Sequence, residues 1–148
     1  MKLGIANDHR GLSLKIAIVD YLKEKNIEYI NYGTDSTDSV DYPDKAKELC
    51  IPILKKEIDL GIIICGAGIG VSIACNKIKG IRCAKVTNQA EAELAKAHNN
   101  ANVLALSGYT DKELAKKIVS EFIETAYSED ERHIRRLEKL KELEEIKV

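Results

Sequence analysis

The fold is decided by the stretch Leu60-Gly61-Ile62-Ile63-Ile64-Cys65-Gly66-Ala67-Gly68-Ile69-Gly70. In this stretch a nearly continuous apolar run leads directly into alternating glycines. A short apolar run of this kind is typical of a central β-strand that is covered on both faces. The glycines permit a sharp turn, and Val71–Asn76 then has a helical pattern. The stretch therefore predicts a strand, a tight turn and a helix, which is the repeating unit of an α/β fold.

Similar strand-like runs occur along the whole chain, and a helical pattern follows each of them. The runs are Lys2–Ala6, Glu28–Asn31, Leu60–Cys65, Arg82–Val86 and Val103–Leu106. Alternating strands and helices predict a parallel sheet with right-handed crossovers and helices on both faces. We therefore predict a single doubly wound, Rossmann-like α/β domain over residues 1–148, with a five-stranded parallel sheet.

A mostly charged segment begins at Ser128, after the fifth predicted helix at about residues 111–125. Its apolar residues form one narrow stripe, made of Ile134, Leu137, Leu140, Leu143 and Ile146. This spacing predicts an added C-terminal helix over about residues 129–148. Because so thin a stripe buries little surface within its own chain, we predict that it packs on a partner subunit. The alternative is a helix that folds back on its own chain.

The composition excludes several classes of partner. With 23 Lys and Arg against 24 Asp and Glu, the chain offers no excess positive charge for nucleic acid or for an anionic membrane. No apolar run approaches the roughly 20 residues that span a bilayer, and the N-terminus leads straight into a strand. We therefore predict a cytoplasmic protein. The four cysteines include no Cys-x-x-Cys pair, so free thiols are expected.

Polar residues with catalytic chemistry lie next to three of the predicted strands. Asn7-Asp8-His9 follows the first strand, Cys65 ends the third, and His98-Asn99-Asn100 precedes the fifth. Ligands of doubly wound folds bind beyond the carboxyl ends of the strands, so we expect these segments to converge there. A thiol facing a helix N-terminus is favoured as a thiolate, which predicts Cys65 as a general base. The alternative for Cys65 is a small buried apolar residue.

Gly66, Gly68 and Gly70 predict a turn whose amide groups and following helix N-terminus bind an anion. No Gly-Lys-Ser/Thr follows, and the G-x-G-x-x-G spacing is absent after the first strand. The pattern therefore predicts no nucleotide cofactor. A purely structural turn is the alternative.

Arg132 and Arg136 are four residues apart on the terminal helix and could bind a phosphate by forked hydrogen bonds, whereas Arg135 lies off that face. The alternative is a solvated helix face. His9, His98 and His133 are scattered and have no carboxylate cluster beside them, so no metal site is predicted. Proton abstraction from carbon needs a base and an oxyanion site, and this sequence supplies both.

Several motifs, taken in order, resemble those of type B ribose-5-phosphate isomerases. They are Asn7-Asp8-His9, Val40–Pro43, Ile64–Gly70, Asn76-Lys77, Gly80–Arg82 and His98–Asn102. The resemblance covers essentially the whole chain, including Arg132-His133 and Arg136. It implies interconversion of ribose 5-phosphate and ribulose 5-phosphate by a homodimer or a dimer of dimers. It further implies a site at the subunit boundary, with no metal and no cofactor.

The resemblance also implies a role for each candidate residue. Cys65 would move the proton between C1 and C2, and His98 with Asp8 would assist opening of the furanose ring. The enediolate oxygens would be held by Gly66, Gly68, Gly70 and Asn99. The phosphate would be bound by His9, Arg132 and Arg136, and the sugar would lie against Tyr42.

The chain departs from the family pattern at three positions. The family commonly has Thr at the position of Ala67 and often has Arg at that of Tyr109, whereas Arg10 replaces a small residue. Two alternatives therefore stay open: an isomerase of a six-carbon sugar phosphate such as galactose 6-phosphate or allose 6-phosphate, and a non-catalytic phosphosugar-binding module.

Overall fold

Five parallel strands form one sheet at the centre of the molecule, so the predicted α/β fold is confirmed. The computed structural model describes residues 1–148. The strands are β1 Lys2–Asn7, β2 Glu28–Asn31, β3 Leu60–Cys65, β4 Cys83–Lys85 and β5 Val103–Ser107, in the order β2-β1-β3-β5-β4. The helices are α1 Leu12–Glu24, α2 Tyr42–Leu54, α3 Ile69–Asn76, α4 Gln89–Ala97, α5 Lys112–Glu124 and α6 Glu131–Leu143.

The strand side chains alternate between two hydrophobic cores, one on each face of the sheet. Along β3, which is buried throughout, Ile62 and Ile64 face one core, while Ile63 and Cys65 face the other. Helices α1, α4 and α5 cover the first face, and α2 and α3 cover the second. Cys65 therefore leaves the sheet on the side of α3, at the end of a fully buried strand.

The chain changes direction between β1 and β3, where the crevice of a doubly wound sheet opens. From β1 the chain runs to β2 on one side, and it then returns to place β3 on the other side of β1. The Asp8 amide donates a hydrogen bond to the Ile64 carbonyl at 3.0 Å, so the ends of the two strands are joined. Asp8 and Cys65 thus flank this crevice.

The element boundaries differ from the predicted ones by a few residues at several ends. Helix α3 begins at Ile69 rather than Val71, because Gly68 adopts a left-handed backbone with φ of 77° and serves as the N-cap. The edge strand β4 is shorter than predicted, since it pairs with β5 only from Cys83 to Lys85.

Helix α6 ends at Leu143, so the predicted helix was too long at its C-terminus. The residues beyond it bond to another segment, because Glu144 accepts a hydrogen bond from the Gly80 amide and Glu145 pairs with Lys79. The helix belongs to neither core, and Ile134, Leu140 and Leu143 are 45%, 44% and 58% exposed. The apolar stripe therefore faces outward. None of the helices has the length and apolar character needed to span a bilayer.

Candidate active site

The Cys65 thiol lies at the carboxyl end of β3, where the glycine turn leads into α3. Its Sγ accepts a hydrogen bond from the Gly68 amide at 3.2 Å, and the residue is 7% exposed. The Gly68 amide is therefore already directed at Cys65, whereas the first amides of α3 have no intrahelical partner and are free to bind an anion.

Close packing requires glycine at position 68. A Cβ atom there would lie 2.9 Å from the Leu106 carbonyl carbon, and the left-handed backbone disfavours any side chain. The turn is also joined to β5, because the Ser107 hydroxyl donates to the Gly66 carbonyl at 2.7 Å and accepts from the Tyr109 amide at 3.2 Å. Ser107 is not among the predicted site residues, since a serine at a strand end gives no distinctive pattern.

Tyr42 forms one wall beside the turn. Its ring carbons lie 2.8–3.2 Å from the position that a Cβ atom on Gly70 would occupy, so the ring packs directly on the glycine backbone. Tyr42 begins α2 and remains 42% exposed. The ring is therefore partly exposed next to the glycine turn.

Asp8 and His9 lie on the opposite wall, after β1. One carboxylate oxygen of Asp8, Oδ1, accepts from the amides of Arg10 and Gly11 at 2.9 and 3.1 Å. The second oxygen, Oδ2, takes no part in these bonds and is free to contact a ligand. The His9 Nδ1 atom accepts from the Val40 amide at 3.3 Å, which fixes the ring against the loop before α2.

Buried Lys15 anchors that loop. It is 2% exposed, and its ammonium group donates to the Thr34 carbonyl at 2.7 Å and to the Asp35 carboxylate. The hydrogen bond from Lys15 is the main cause of a lowered pKa of Asp35, and a hydrogen bond from Asn31 is the next largest cause. Lys15 is not among the predicted site residues, although its spacing from Ile18 and Leu22 places a charge on the buried face of α1. A charged residue on an otherwise apolar helix face could therefore have identified Lys15 from the sequence.

His98, Asn99, Arg132 and Arg136 lie at the other edge of the sheet. His98 precedes β5, whose first residue Val103 pairs with Gly61, whereas Ser107 at its far end pairs with Cys65. With a rise of about 3.3 Å per residue, Val103 and Ser107 are separated by about 13 Å along the strand. The prediction that all three polar segments converge within one chain is therefore wrong. The structure brings together Asp8, His9, Tyr42, Cys65, Gly66, Gly68 and Gly70, but not the second group.

His98 is exposed and stacks on the buried ring of His133, with ring centroids 4.2 Å apart. Burial, followed by the electrostatic influence of His98 and Arg132, lowers the pKa of His133, so this ring is neutral at neutral pH. Arg132 Nη2 lies 3.4 Å from His133 Nε2 and can only donate. The His133 proton is therefore on Nδ1, which bonds Ser128 Oγ at 2.6 Å.

Arg82 holds the segment that contains Asn99. Its guanidinium group donates to the Asn99 carbonyl at 3.1 Å and to the Asn100 carbonyl at 2.8 and 3.0 Å. Arg132 and Arg136 are exposed, and neither forms an ion pair with a carboxylate. This edge of the sheet therefore presents a histidine, an amide side chain and two cations without counter-charges.

The remaining titratable clusters supply no second site. No three His, Cys, Asp or Glu side chains are grouped so that they could hold a metal ion. All four cysteines are free thiols, as predicted. A hydrogen bond with Cys75 and burial raise the pKa of Cys50, so this thiol stays protonated. Cys65 is the thiol that opens toward the crevice.

Comparison with known proteins shows similarity over nearly the whole chain. Residues 3–140 match the model of the ribose/galactose isomerase family. Ribose-5-phosphate isomerase B of Escherichia coli is 40% identical over 145 residues, which is 97% of each chain.

Two solved structures have the same fold. Ribose-5-phosphate isomerase B of Clostridium thermocellum is 42% identical, with a TM-score of 0.94 and 97% of each chain covered. The Mycoplasma genitalium enzyme, solved with bound ribulose 5-phosphate, is 39% identical, with a TM-score of 0.91 and coverage of 99% of this chain and 97% of that one. On this similarity of sequence and fold, the chain belongs to the ribose/galactose isomerase family.

Proposed function

We propose that this protein interconverts ribose 5-phosphate and ribulose 5-phosphate, with Cys65 as the base that transfers the proton between carbons. The observation that supports this most directly is the Cys65 thiol, held by the Gly68 amide beside the free amides of α3. A base and an oxyanion site next to each other are what proton transfer alpha to a carbonyl requires. The names of the relatives from E. coli and C. thermocellum agree with this reaction.

The proposed reaction needs only proton transfers. In the open-chain aldose, the Cys65 thiolate removes the proton from C2, and the C–H electron pair forms the C1–C2 double bond while O1 gains negative charge. The thiol then returns the proton to C1, while the O2 proton is lost and O1 is protonated, which leaves the ketone at C2. The amides at the start of α3 stabilise the oxyanion in the intermediate. No metal and no cofactor take part.

The proposed site is completed by a second copy of the chain. Ring opening by His98 together with Asp8 requires the amino edge of one subunit to meet the carboxyl edge of its partner, because the two groups lie far apart in one chain. Two exposed apolar surfaces suit such contact: the α6 stripe, and Tyr42, Ile51, Ile69 and Ile73 on α2 and α3. We therefore propose a homodimer, or a dimer of dimers, with the active site at the subunit boundary.

A panel of phosphorylated sugars tests the activity. We expect turnover of ribose 5-phosphate to exceed that of galactose 6-phosphate and allose 6-phosphate, and to survive exhaustive chelation because no step uses a metal. The measurement is the ketose formed with and without chelator. Loss of activity on chelation, restored by one divalent ion, would contradict the proposed proton transfer.

The six-carbon alternative has one observation in its favour. Ala67 is exposed at the rim of the glycine turn, where the family commonly has a threonine hydroxyl. Turnover of a six-carbon phosphate alone would establish that alternative. Binding without turnover of any sugar would identify a non-catalytic phosphosugar-binding module.

Arg136→Ala should lower kcat/KM for ribose 5-phosphate by about 10- to 150-fold, because a charge-assisted hydrogen bond contributes about 1.5–3 kcal/mol. We propose that Arg136 and Arg132 bind the substrate phosphate, since both residues are exposed and neither forms an ion pair with a carboxylate. Steady-state kinetics with ribose 5-phosphate and with unphosphorylated ribose measure the effect.

Arg135→Ala is the matched control, because this neighbouring arginine is exposed but lies off the face of Arg132 and Arg136. It should leave both substrates unaffected. An equal loss of efficiency on ribose and on ribose 5-phosphate in Arg136→Ala would show that the arginine does not act on the phosphate.

A further inference from the structure

Arg10 lies directly against the glycine turn of the candidate site. A Cβ atom on Gly66 would be 3.1 Å from Arg10 Cδ and 3.5 Å from Arg10 Nη1, so the arginine side chain covers the Gly66 backbone. The main chain of Arg10 is fixed from two sides. Its amide donates to Asp8 Oδ1 at 2.9 Å, and its carbonyl oxygen would be 2.6 Å from a Cβ atom on Gly108.

The Arg10 guanidinium has no counter-charge in the protein. Arg10 is exposed, forms no ion pair, and donates no side-chain hydrogen bond, although its amide is bonded. A surface arginine is easily solvated, but this one lies beside Cys65 and next to His9 in the chain. The crevice between β1 and β3 therefore contains a positive charge that has no counter-charge in the protein.

We propose that Arg10 binds the phosphate group of the substrate from the same subunit that contributes Cys65. This inference rests on the proposed isomerase function. The planar guanidinium can form two parallel hydrogen bonds to phosphate oxygens, and a phosphate is a permanent anion that must be bound before reaction. The transient charge of the enediolate is instead met by the neutral amides of α3.

The neighbourhood of Tyr109 supports a phosphate role. The Arg10 main chain packs against Gly108, and the next residue, Tyr109, is 84% exposed and contributes no cation. Arg10 thus provides the cation between the ends of β1 and β5. The phosphate would then be bound by Arg10 and His9 of one subunit and by Arg132 and Arg136 of its partner.

Binding measured without turnover tests this proposal. In a Cys65→Ala background, calorimetric titration with ribose 5-phosphate should show about 10- to 150-fold weaker binding when Arg10→Ala is added. Arg10→Lys retains the positive charge but cannot form two parallel hydrogen bonds, so it should give an intermediate loss of affinity. Inorganic phosphate, used as a second titrant, should lose affinity in the same order, because it reports the phosphate contact alone.

Lys23→Ala serves as the matched control, because it removes one exposed positive charge at the far end of α1. It should bind both titrants as the parent does. Equal affinity for ribose 5-phosphate with and without Arg10 would overturn the assignment, as would a loss confined to ribose 5-phosphate while inorganic phosphate binds unchanged. If the parent protein binds neither titrant, the proposed function itself fails, and Arg10 with it.

Discussion

Cys65→Ala should reduce kcat for ribose 5-phosphate by about 10²- to 10⁴-fold, because a general base contributes that much to a proton transfer. Binding should change little, since the Gly68 amide and the start of α3 stay in place when only the sulfur is removed. The residue ends a strand that is buried throughout and has neighbours on both sides of the sheet, so the backbone has little freedom to relax. Steady-state kinetics and calorimetric binding of the same sugar give the two readouts.

Two further variants make this result specific to the Cys65 thiol. Cys65→Ser retains the size and a hydrogen-bond acceptor, but a hydroxyl is far less acidic than a thiol, so this variant should be nearly as inactive. Cys50→Ala removes a buried thiol from the core beneath α2 and should keep wild-type kinetics. Turnover by Cys65→Ala within a few-fold of the parent would exclude Cys65 as the base.

The fold could be predicted because the strongest signals in the chain are local. The apolar run of β3 and its glycine turn specify a buried strand and a sharp exit, and the same alternation recurs in all five units. The end of α6 was not predictable in this way. The stripe continues to Ile146, but Glu144 and Glu145 bond to Gly80 and Lys79, and a contact so distant in the chain has no local pattern.

The placement of His98 was mispredicted for a reason that topology explains. A helix that connects two parallel strands runs antiparallel to them, so its last residues lie at the amino edge of the sheet. His98 follows α4 and must therefore lie opposite Cys65, which ends β3 at the carboxyl edge. The sequence contained this information, whereas the position of the Arg10 side chain depends on packing against Gly66 that no local pattern encodes.

Mixing inactive Cys65→Ala subunits with inactive His98→Ala subunits should restore activity to about a quarter of the wild-type level. In a dimer with sites shared across the boundary, each mixed dimer contains one site in which both Cys65 and His98 are intact. Equal amounts of the two variants give mixed dimers as about half of the total, and half of their sites work. Subunit exchange followed by an isomerase assay measures this recovery.

The matched control mixes Cys65→Ala with Asp8→Asn, two changes at the same carboxyl edge. Every site then has one defective carboxyl edge, whichever subunit contributes His98, so no recovery is expected. If His98 and Cys65 instead acted within one chain, each site of a Cys65→Ala and His98→Ala mixed dimer would contain one defect, and that mixture would stay as inactive as its parts. If no activity is recovered in a sample whose subunits have demonstrably exchanged, the shared site is contradicted.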